Sequence, residues 1–332
     1  MTLTITRRTL VAGGLAAPAL LTFGRGARAA TILTLGHNAA PGNPRSIATE
    51  RFGEMVKERT SGRIAVRVAG SEQLGNEQSL LTSLRTGAVD MTVNSQGSVS
   101  ALVPEIAALG LPFLFADSAA AFRVLEGPIG EELSQRFSKV QMVPLGYWDN
   151  GIRHITNSKR PIVKPADLKG LKIRTPPDPM TIDIFQALGA GTEQISFGEL
   201  YVALQQGVVD GQENPLTNIA SSKLFEVNKF ISLSGHKWES SPFLISQITW
   251  TRLPAADREI VKAAAKEAGD LQRKLFAENE AKYNGEFRAN PKLAVNEVDK
   301  AAFREASANV IEIWHAKPFG DFVGQLVKTA RG

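Results

Sequence analysis

Leu84-Arg85-Thr86-Gly87-Ala88-Val89-Asp90 recurs further along the chain as Leu204-Gln205-Gln206-Gly207-Val208-Val209-Asp210, and four residues after each aspartate stands an asparagine, Asn94 and Asn214. Each copy reads as a helix end, a glycine suited to the left-handed position after a helix, a short strand, and a polar residue at the strand's C-terminal end. In open α/β sheets that end is where ligands sit. Helix, glycine, strand is also the ordinary grammar of α/β proteins, and the pattern alone leaves both readings open. The duplicated polar tip, one in each half, favours two lobes facing one cleft.

Working outward, the flanking sequence alternates in the same way. Thr31 to Gly36 predicts a strand. Asn43-Pro44 opens a helix to about Thr60, with Ile47, Phe52, Met55 and Val56 on its apolar side, and Gly62 precedes a strand over Arg63 to Val68. Helix Glu77–Thr86, strand Ala88–Val93, helix Ser118–Phe137 and strand Gln141–Tyr147 follow. The second set begins near Gly151, with strands Leu171–Arg174 and Val208–Gly211 and helices Met180–Leu188 and Phe197–Gln206. Such alternation predicts an α/β fold with parallel sheets covered by helices. From Pro254 to about Tyr283 a helical pattern outruns the usual helix length of roughly 8–20 residues, long enough to lie across both halves.

The first residues read as a targeting segment. Arg7 and Arg8 precede an apolar run from Leu10 to Phe23, and Ala27-Arg28-Ala29 supplies the small-x-small pattern of a cleavage site. The run falls short of the roughly 20 apolar residues that span a bilayer. Thr6-Arg7-Arg8-Thr9-Leu10 resembles a twin-arginine signal, although a general secretory signal also carries basic residues. Residues 1–29 hold four of the 38 basic residues and no acid, so removing them leaves 34 against 33 acids, a balance of +1 rather than +5. That near-neutral balance, with no run of Lys or Arg, gives no nucleic-acid footprint. No later stretch is apolar enough to span a membrane. The chain has no cysteine, which excludes disulfides and thiolate chemistry.

Neither a zinc-protease, Walker A, nucleophile-elbow nor dinucleotide motif occurs. The histidines, His37, His154, His236 and His315, lack metal-ligand spacing, so neither a metal nor another cofactor is expected. What remains is a set of cations and amides at strand ends. Arg174 closes the strand Leu171-Lys172-Ile173 and is followed by Thr175-Pro176-Pro177, which must leave the sheet because proline donates no ladder bond. A guanidinium there offers a planar fork matched to a carboxylate. Arg153 sits beside a glycine turn at the junction of the halves. Asn214, held extended by Pro215, can donate and accept. Trp148, Phe197 and Trp238 are candidate walls of the cleft.

Several ordered runs carry a resemblance over nearly the whole chain after residue 29. They are Ser71-Glu72-Gln73-Leu74-Gly75, Leu111-Pro112-Phe113-Leu114-Phe115, Tyr147 to Arg153, Asp167 to Pro176 and, longest of all, Phe197 to Pro215. The sequence resembles the solute-binding proteins of TRAP transporters, the DctP-type family. The resemblance implies a two-lobed periplasmic-binding-protein fold with a ligand cleft between lobes and a long helix spanning both. It divides the chain into a signal over 1–29, a lobe I over 30–150 plus about 240–282, and a lobe II over 151–239 plus about 283–332. It implies a periplasmic protein, not an enzyme, that hands a small organic carboxylate (a sugar acid, hydroxy acid or related anion) to the small and large permease subunits; a monomer is the default expectation, since the sequence does not read out oligomeric state.

By the same resemblance Arg174 is the main carboxylate clamp, Arg153 a second cationic contact, Asn214 a partner to the same carboxylate, and Phe197 packs on the ligand. Asn38, Glu77, Asn94 and Ser95 would face it from the first lobe, and His236 from the return between lobes. Ser95 departs from relatives that carry an acid there, so the ligand does not transfer from them. A ligand-binding subunit for a sensor receptor would use the same cleft, whereas an exported enzyme would need a convergent acid-base or nucleophilic set.

Overall fold

The computed structural model describes residues 30–332, and the export signal expected over 1–29 lies outside them. The first lobe is laid down as β1 (Thr31–His37), α1 (Pro44–Arg59), β2 (Ile64–Ala69), α2 (Glu77–Thr86), β3 (Met91–Val93) and α3 (Gln96–Val99). After a 3-10 turn at Pro104–Gly110 come α4 (Ser118–Leu125), α5 (Pro128–Ser138) and β4 (Met142–Ile152). The second lobe continues with β5 (His154–Asn157), β6 (Lys172–Thr175), α6 (Pro179–Ala187), β7 (Gly191–Gln194), α7 (Leu200–Gln205), β8 (Gly211–Asn214), α8 (Leu216–Ser221) and β9 (Phe230–Leu233). The chain then returns through β10 (Trp238–Ser246), α9 (Gln247–Arg252) and α10 (Ala255–Ala289). It ends on β11 (Ala294–Glu297), α11 (Lys300–Ala306), α12 (Asn309–His315) and α13 (Gly320–Arg331).

Two sheets result, ordered β2-β1-β3-β10-β4 and β11-β9-β5-β8-β6-β7. They are mixed rather than parallel, which corrects the expectation from alternation. β10 runs antiparallel to β3 and β4, and β5 runs antiparallel to β8 and β9. The reason is the crossing between lobes. β4 leaves the first sheet at Ile152 and β5 enters the second at His154, while β9 and β10 make the return. These two crossings lie side by side, the Arg153 N–H donating to the Lys237 carbonyl at 2.9 Å. α10, 35 residues and roughly 50 Å long at 1.5 Å per residue, packs on α1 and β4 in one lobe and on α8 in the other. α12 packs on α6, but α13 packs back on α4, so the C-terminal segment is shared between the lobes.

The duplicated segment is physically alike in its two copies. Gly87 and Gly207 adopt φ of +74° and +71°, and each following aspartate braces the neighbouring strand. Asp90 accepts the Thr34 N–H of β1 at 2.7 Å, and Asp210 accepts the Lys172 N–H of β6 at 2.9 Å. The turn through the aspartate uses up residues expected as strand, so β3 and β8 begin only at Met91 and Gly211. The expected single helix over 118–137 is two, because Pro128 starts α5 afresh. In α1 the buried stripe is Ala48, Phe52, Met55 and Val56. Ile47 falls off that stripe and is 43% exposed. Phe52 meets Phe243 of β10 edge-on at 4.9 Å, and burying such a ring contributes about 1.5–3 kcal/mol.

Candidate functional site

A cleft between the lobes is built where the strand ends of both sheets converge. It has an outer chamber of about 240 Å³ and a tighter inner one of about 30 Å³, the latter close to one water's share of liquid volume. Arg174, Phe197 and Glu77 border both.

Arg174 stands at the C-terminal end of β6 and is 3% exposed. Its Nε donates to the Ile195 carbonyl at 2.8 Å, and its guanidinium carbon lies 5.9 Å from the centre of the Phe197 ring. Among the described residues it has no carboxylate within 4.0 Å. Burial therefore pulls its pKa down to about 10, despite the more distant Glu213. An arginine desolvated in this way and left without an anion is a receptor for one.

Arg153 is the opposite case. Its Nε and one Nη take both carboxylate oxygens of Glu213, its other Nη donates to Glu239 at 2.9 Å, and Asn214 Oδ1 accepts at 3.2 Å. Burial works against the charge, but the two carboxylates outweigh it and hold the pKa above its ordinary value. Arg153, expected as a second cationic contact, borders the inner chamber with its charge already paired to two carboxylates. Asn214 is likewise engaged, accepting from Arg153 and Asn218 and donating to Gln212.

The second cation in the chamber is Arg45, which the sequence analysis missed. It occupies the first turn of α1, where Asn43 caps the helix by accepting the Arg45 N–H at 3.0 Å. Its guanidinium donates to Asn38 at 2.6 Å, Asn150 at 3.1 Å and the Ser241 hydroxyl, with no ion-paired carboxylate among the described residues, and burial lowers its pKa despite the more distant Glu77 and Glu239. The signal that marks it is the helix dipole, which disfavours a cation in a first turn. Asn150 reaches the chamber because it is the unpaired residue of a bulge. Glu239 and Ser240 of β10 face Gly151 and Asp149 of β4 and skip it. Gly151 follows at φ +77°, where a Cβ would fall 2.4 Å from the Phe276 ring of α10.

From the first lobe, Glu77 opens α2 and accepts the Ser95 N–H and the Ser98 hydroxyl, both at 2.6 Å, as well as the Ser95 hydroxyl. Asn38 and Ser95 also border the inner chamber. Glu72, quoted earlier only as part of a motif, is a further lining residue. Ser71 and Glu72 both adopt left-handed φ, 52° and 60°, which turns the half-buried Glu72 carboxyl towards the cleft with one oxygen unpartnered. Burial and then Glu77 raise its pKa, offset by the Gly198 N–H across the cleft. A Cβ on Gly198 would sit 2.5 Å from the other Glu72 oxygen, so only glycine permits this approach. The lobes also touch at Asn43, whose amide donates to Asn218 at 3.0 Å and Ser221 at 3.1 Å.

Four expected residues stand away from the lining. Trp148 packs on Phe243 at 5.1 Å within the first lobe's core. Trp238 sits edge-on to Phe115 and Phe122 and donates to Asp149 at 3.0 Å. Both are 1% exposed, core rather than wall. Asn94 is fully buried, donating to the Glu77 carbonyl at 2.9 Å. His236 is buried behind Arg153, with Ser234 at 2.8 Å and Glu213 at 3.4 Å, and burial lowers its pKa. Among the described residues no group of three His, Cys, Asp or Glu could hold a metal ion, and no helix is long and apolar enough to cross a membrane.

Residues 35–317 match the model of the bacterial extracellular solute-binding proteins, family 7. The chain is 64% identical over 311 residues to an uncharacterised protein of Sinorhizobium fredii, a match covering 93% of this chain but 57% of that protein, so it spans little more than half of that relative. It is 34% identical over 292 residues to the 2,3-diketo-L-gulonate-binding periplasmic protein of Escherichia coli, covering 88% of this chain and 89% of that one. Among solved structures it is similar to the sugar acid binding protein of Advenella mimigardefordensis in complex with galactonate. The TM-score there is 0.88 at 31% identity, covering 91% of this chain and 98% of the other.

Proposed function

The chain belongs to the bacterial extracellular solute-binding proteins, family 7, and on that footing we propose that it captures a small organic acid anion outside the cytoplasm and delivers it to a TRAP-type permease. The observation that carries the proposal is Arg174, 3% exposed, facing the cleft and without an ion-pair partner among the described residues. A ligand carboxylate supplies that partner. Arg45 stands as the second cation, with Asn38 and Asn150 holding it in place. Phe197 packs on the ligand's carbon chain, and Glu77 and Ser95 meet it from the first lobe.

Capture follows from the fold. With the lobes apart, Arg174 and Arg45 attract the anion. The crossings at Arg153 and Lys237 act as the hinge, and closure brings Asn43 to Asn218 and Ser221 while expelling water. Hydrogen bonds to charged groups contribute about 1.5–3 kcal/mol each, and a few of them, less the cost of ordering, yield micromolar affinity, near −8 kcal/mol. The chain performs no chemistry on the ligand in this account. Mass spectrometry of acid released from protein purified from its native compartment tests the proposal, with a recovered organic carboxylate as the expected result. A neutral or cationic ligand would refute it.

A further inference from the structure

Gly198 lies in the second lobe between Phe197 and Glu199, which border the outer chamber of the cleft, and Glu72 faces it from the first lobe. The backbone does not ask for glycine there, since Gly198 is not among the residues with left-handed φ. The opposite lobe does. The three nearest atoms that a Cβ on Gly198 would meet all belong to Glu72, its Oε2 at 2.5 Å, Cδ at 3.2 Å and Cβ at 3.9 Å. Glu72 in turn is held out by strain. It and Ser71 adopt φ of 60° and 52°, a region that residues with side chains keep only where the surroundings enforce it. A missing side chain on one lobe and two strained residues on the other thus serve a single approach.

Both halves of this contact are mounted on the groups that hold the two unpaired guanidinium groups. In the first lobe the Ser71 N–H donates to the Ala39 carbonyl at 3.2 Å and the Glu72 N–H to the His37 carbonyl at 3.1 Å. The turn is therefore pinned on either side of Asn38, which accepts from Arg45. In the second lobe Arg174 donates to the Ile195 carbonyl and faces the Phe197 ring, on the run that leads directly into Gly198. We propose that Glu72 and Gly198 form a closing latch, a pair of positioning residues that holds the lobes together over the bound anion and slows its release. The latch rests on the capture of an anion proposed above and adds to it the residues that keep the closed form shut. A carboxylate that draws Arg174 and Arg45 together draws Gly198 and Glu72 together as well. Because the latch forms after the anion has arrived, it governs escape more than entry.

Wild type, Gly198→Ala, Glu72→Ala and the double variant test this, with Glu72→Gln as the conservative change. The probe is the acid released from the purified protein, added back as its pure salt, and its rates are read by surface plasmon resonance on immobilised protein. Gly198→Ala and Glu72→Ala are each expected to raise the dissociation rate about 5–10-fold while changing the association rate less than about 3-fold. In the Glu72→Ala background the glycine change should cost less than about 2-fold, since the side chain it meets is gone. Glu72→Gln keeps an acceptor oxygen and should lie nearer wild type than Glu72→Ala. The chain has no cysteine, so spin labels on Lys57→Cys in α1 and Gln205→Cys in α7, both exposed, report the spacing of the lobes. At saturating acid Gly198→Ala should keep an open fraction that wild type lacks, which loss of a ligand contact alone would not produce. A glycine change with the same effect in both backgrounds, or a Gly198→Ala protein that closes as fully as wild type, overturns the latch and leaves anion capture standing. Failure of the acid to bind wild type overturns the proposed function itself, and the latch with it.

Discussion

Glu213 closes off Arg153 so completely that both of its carboxylate oxygens are spent on one guanidinium, at a crossing where neither side chain is more than 3% exposed. Glu239 completes the set by bridging Arg153 and Lys237, and Lys237 in turn pairs with Asp178 at 2.6 Å. A buried network of two cations and three carboxylates therefore ties the hinge strands to the second lobe. Arg174, on the neighbouring strand end, has no such partner, and the two arginines should respond to mutation in opposite ways.

Arg153→Met should destabilise the ligand-free protein by ~3–5 kcal/mol, because Glu213 stays buried without its cation and Glu239 keeps only Lys237. Arg174→Met should leave ligand-free stability unchanged or raise it, since it removes a desolvated charge with no ion-pair partner among the described residues. Denaturant midpoints of the two variants, measured without ligand, check the contrast. Equal losses would mean that Arg174 has a structural partner.

Trp148→Phe and Trp238→Phe should each lower stability by about 1–3 kcal/mol through lost packing while leaving ligand affinity within about twofold. Their side chains touch Phe243, Phe115 and Phe122 rather than the cleft. Calorimetric titration of both variants is the check, and a tenfold loss of affinity in either would place that ring against the ligand.

Asn43→Ser keeps a residue that caps α1 but removes the donor to Asn218 and Ser221. It should favour the open form and weaken ligand binding about 3–10-fold, roughly what one or two part-buried hydrogen bonds contribute. X-ray scattering with and without ligand would show a larger ligand-free radius than wild type. An unchanged radius and affinity would dismiss the contact as incidental to closure.

Glu280 on α10 accepts the Thr217 N–H at 2.7 Å and the Leu216 N–H at 3.3 Å, at the start of α8. Burial, partly offset by those bonds, raises its pKa to about 7. The folded state thus holds a proton that the unfolded chain releases near pH 4.5, so stability falls as pH rises from about 4.5 to about 7 and levels off above. Glu280→Gln removes this dependence and should be more stable than wild type at about pH 8, by on the order of 3 kcal/mol, but not at about pH 4.5. Thermal melts across that range test the sign. A wild type that gains stability over the window relative to the variant would contradict it.

Periodicity and turn chemistry were sufficient for α1, α2, α6 and α10, since each announces an apolar stripe or a capping residue. The duplicated glycine-aspartate segment was legible because a left-handed glycine and a strand-bracing carboxylate are local requirements. Strand direction was not legible. Whether β10 runs parallel or antiparallel depends on the crossings at Arg153 and Lys237, and those depend on contacts distant in sequence. Arg174 could be read at the site because a following Pro-Pro forces the chain out of the sheet. The pairing of Arg153 was not legible, because its partners Glu213 and Glu239 lie 60 and 86 residues away. The tryptophans were misplaced because an aromatic in a strand has two faces to choose from, and only the packing of α1 and α10 around Trp148, and of Phe115 and α4 on Trp238, settles which is core.

Binding of the released acid to wild type and Arg174→Met by calorimetry tests the central claim most directly. The account predicts a loss of ~3–5 kcal/mol, more than about 100-fold in affinity, because the bound carboxylate is left buried without its cation. An affinity unchanged in Arg174→Met would contradict it and remove Arg174 from the site.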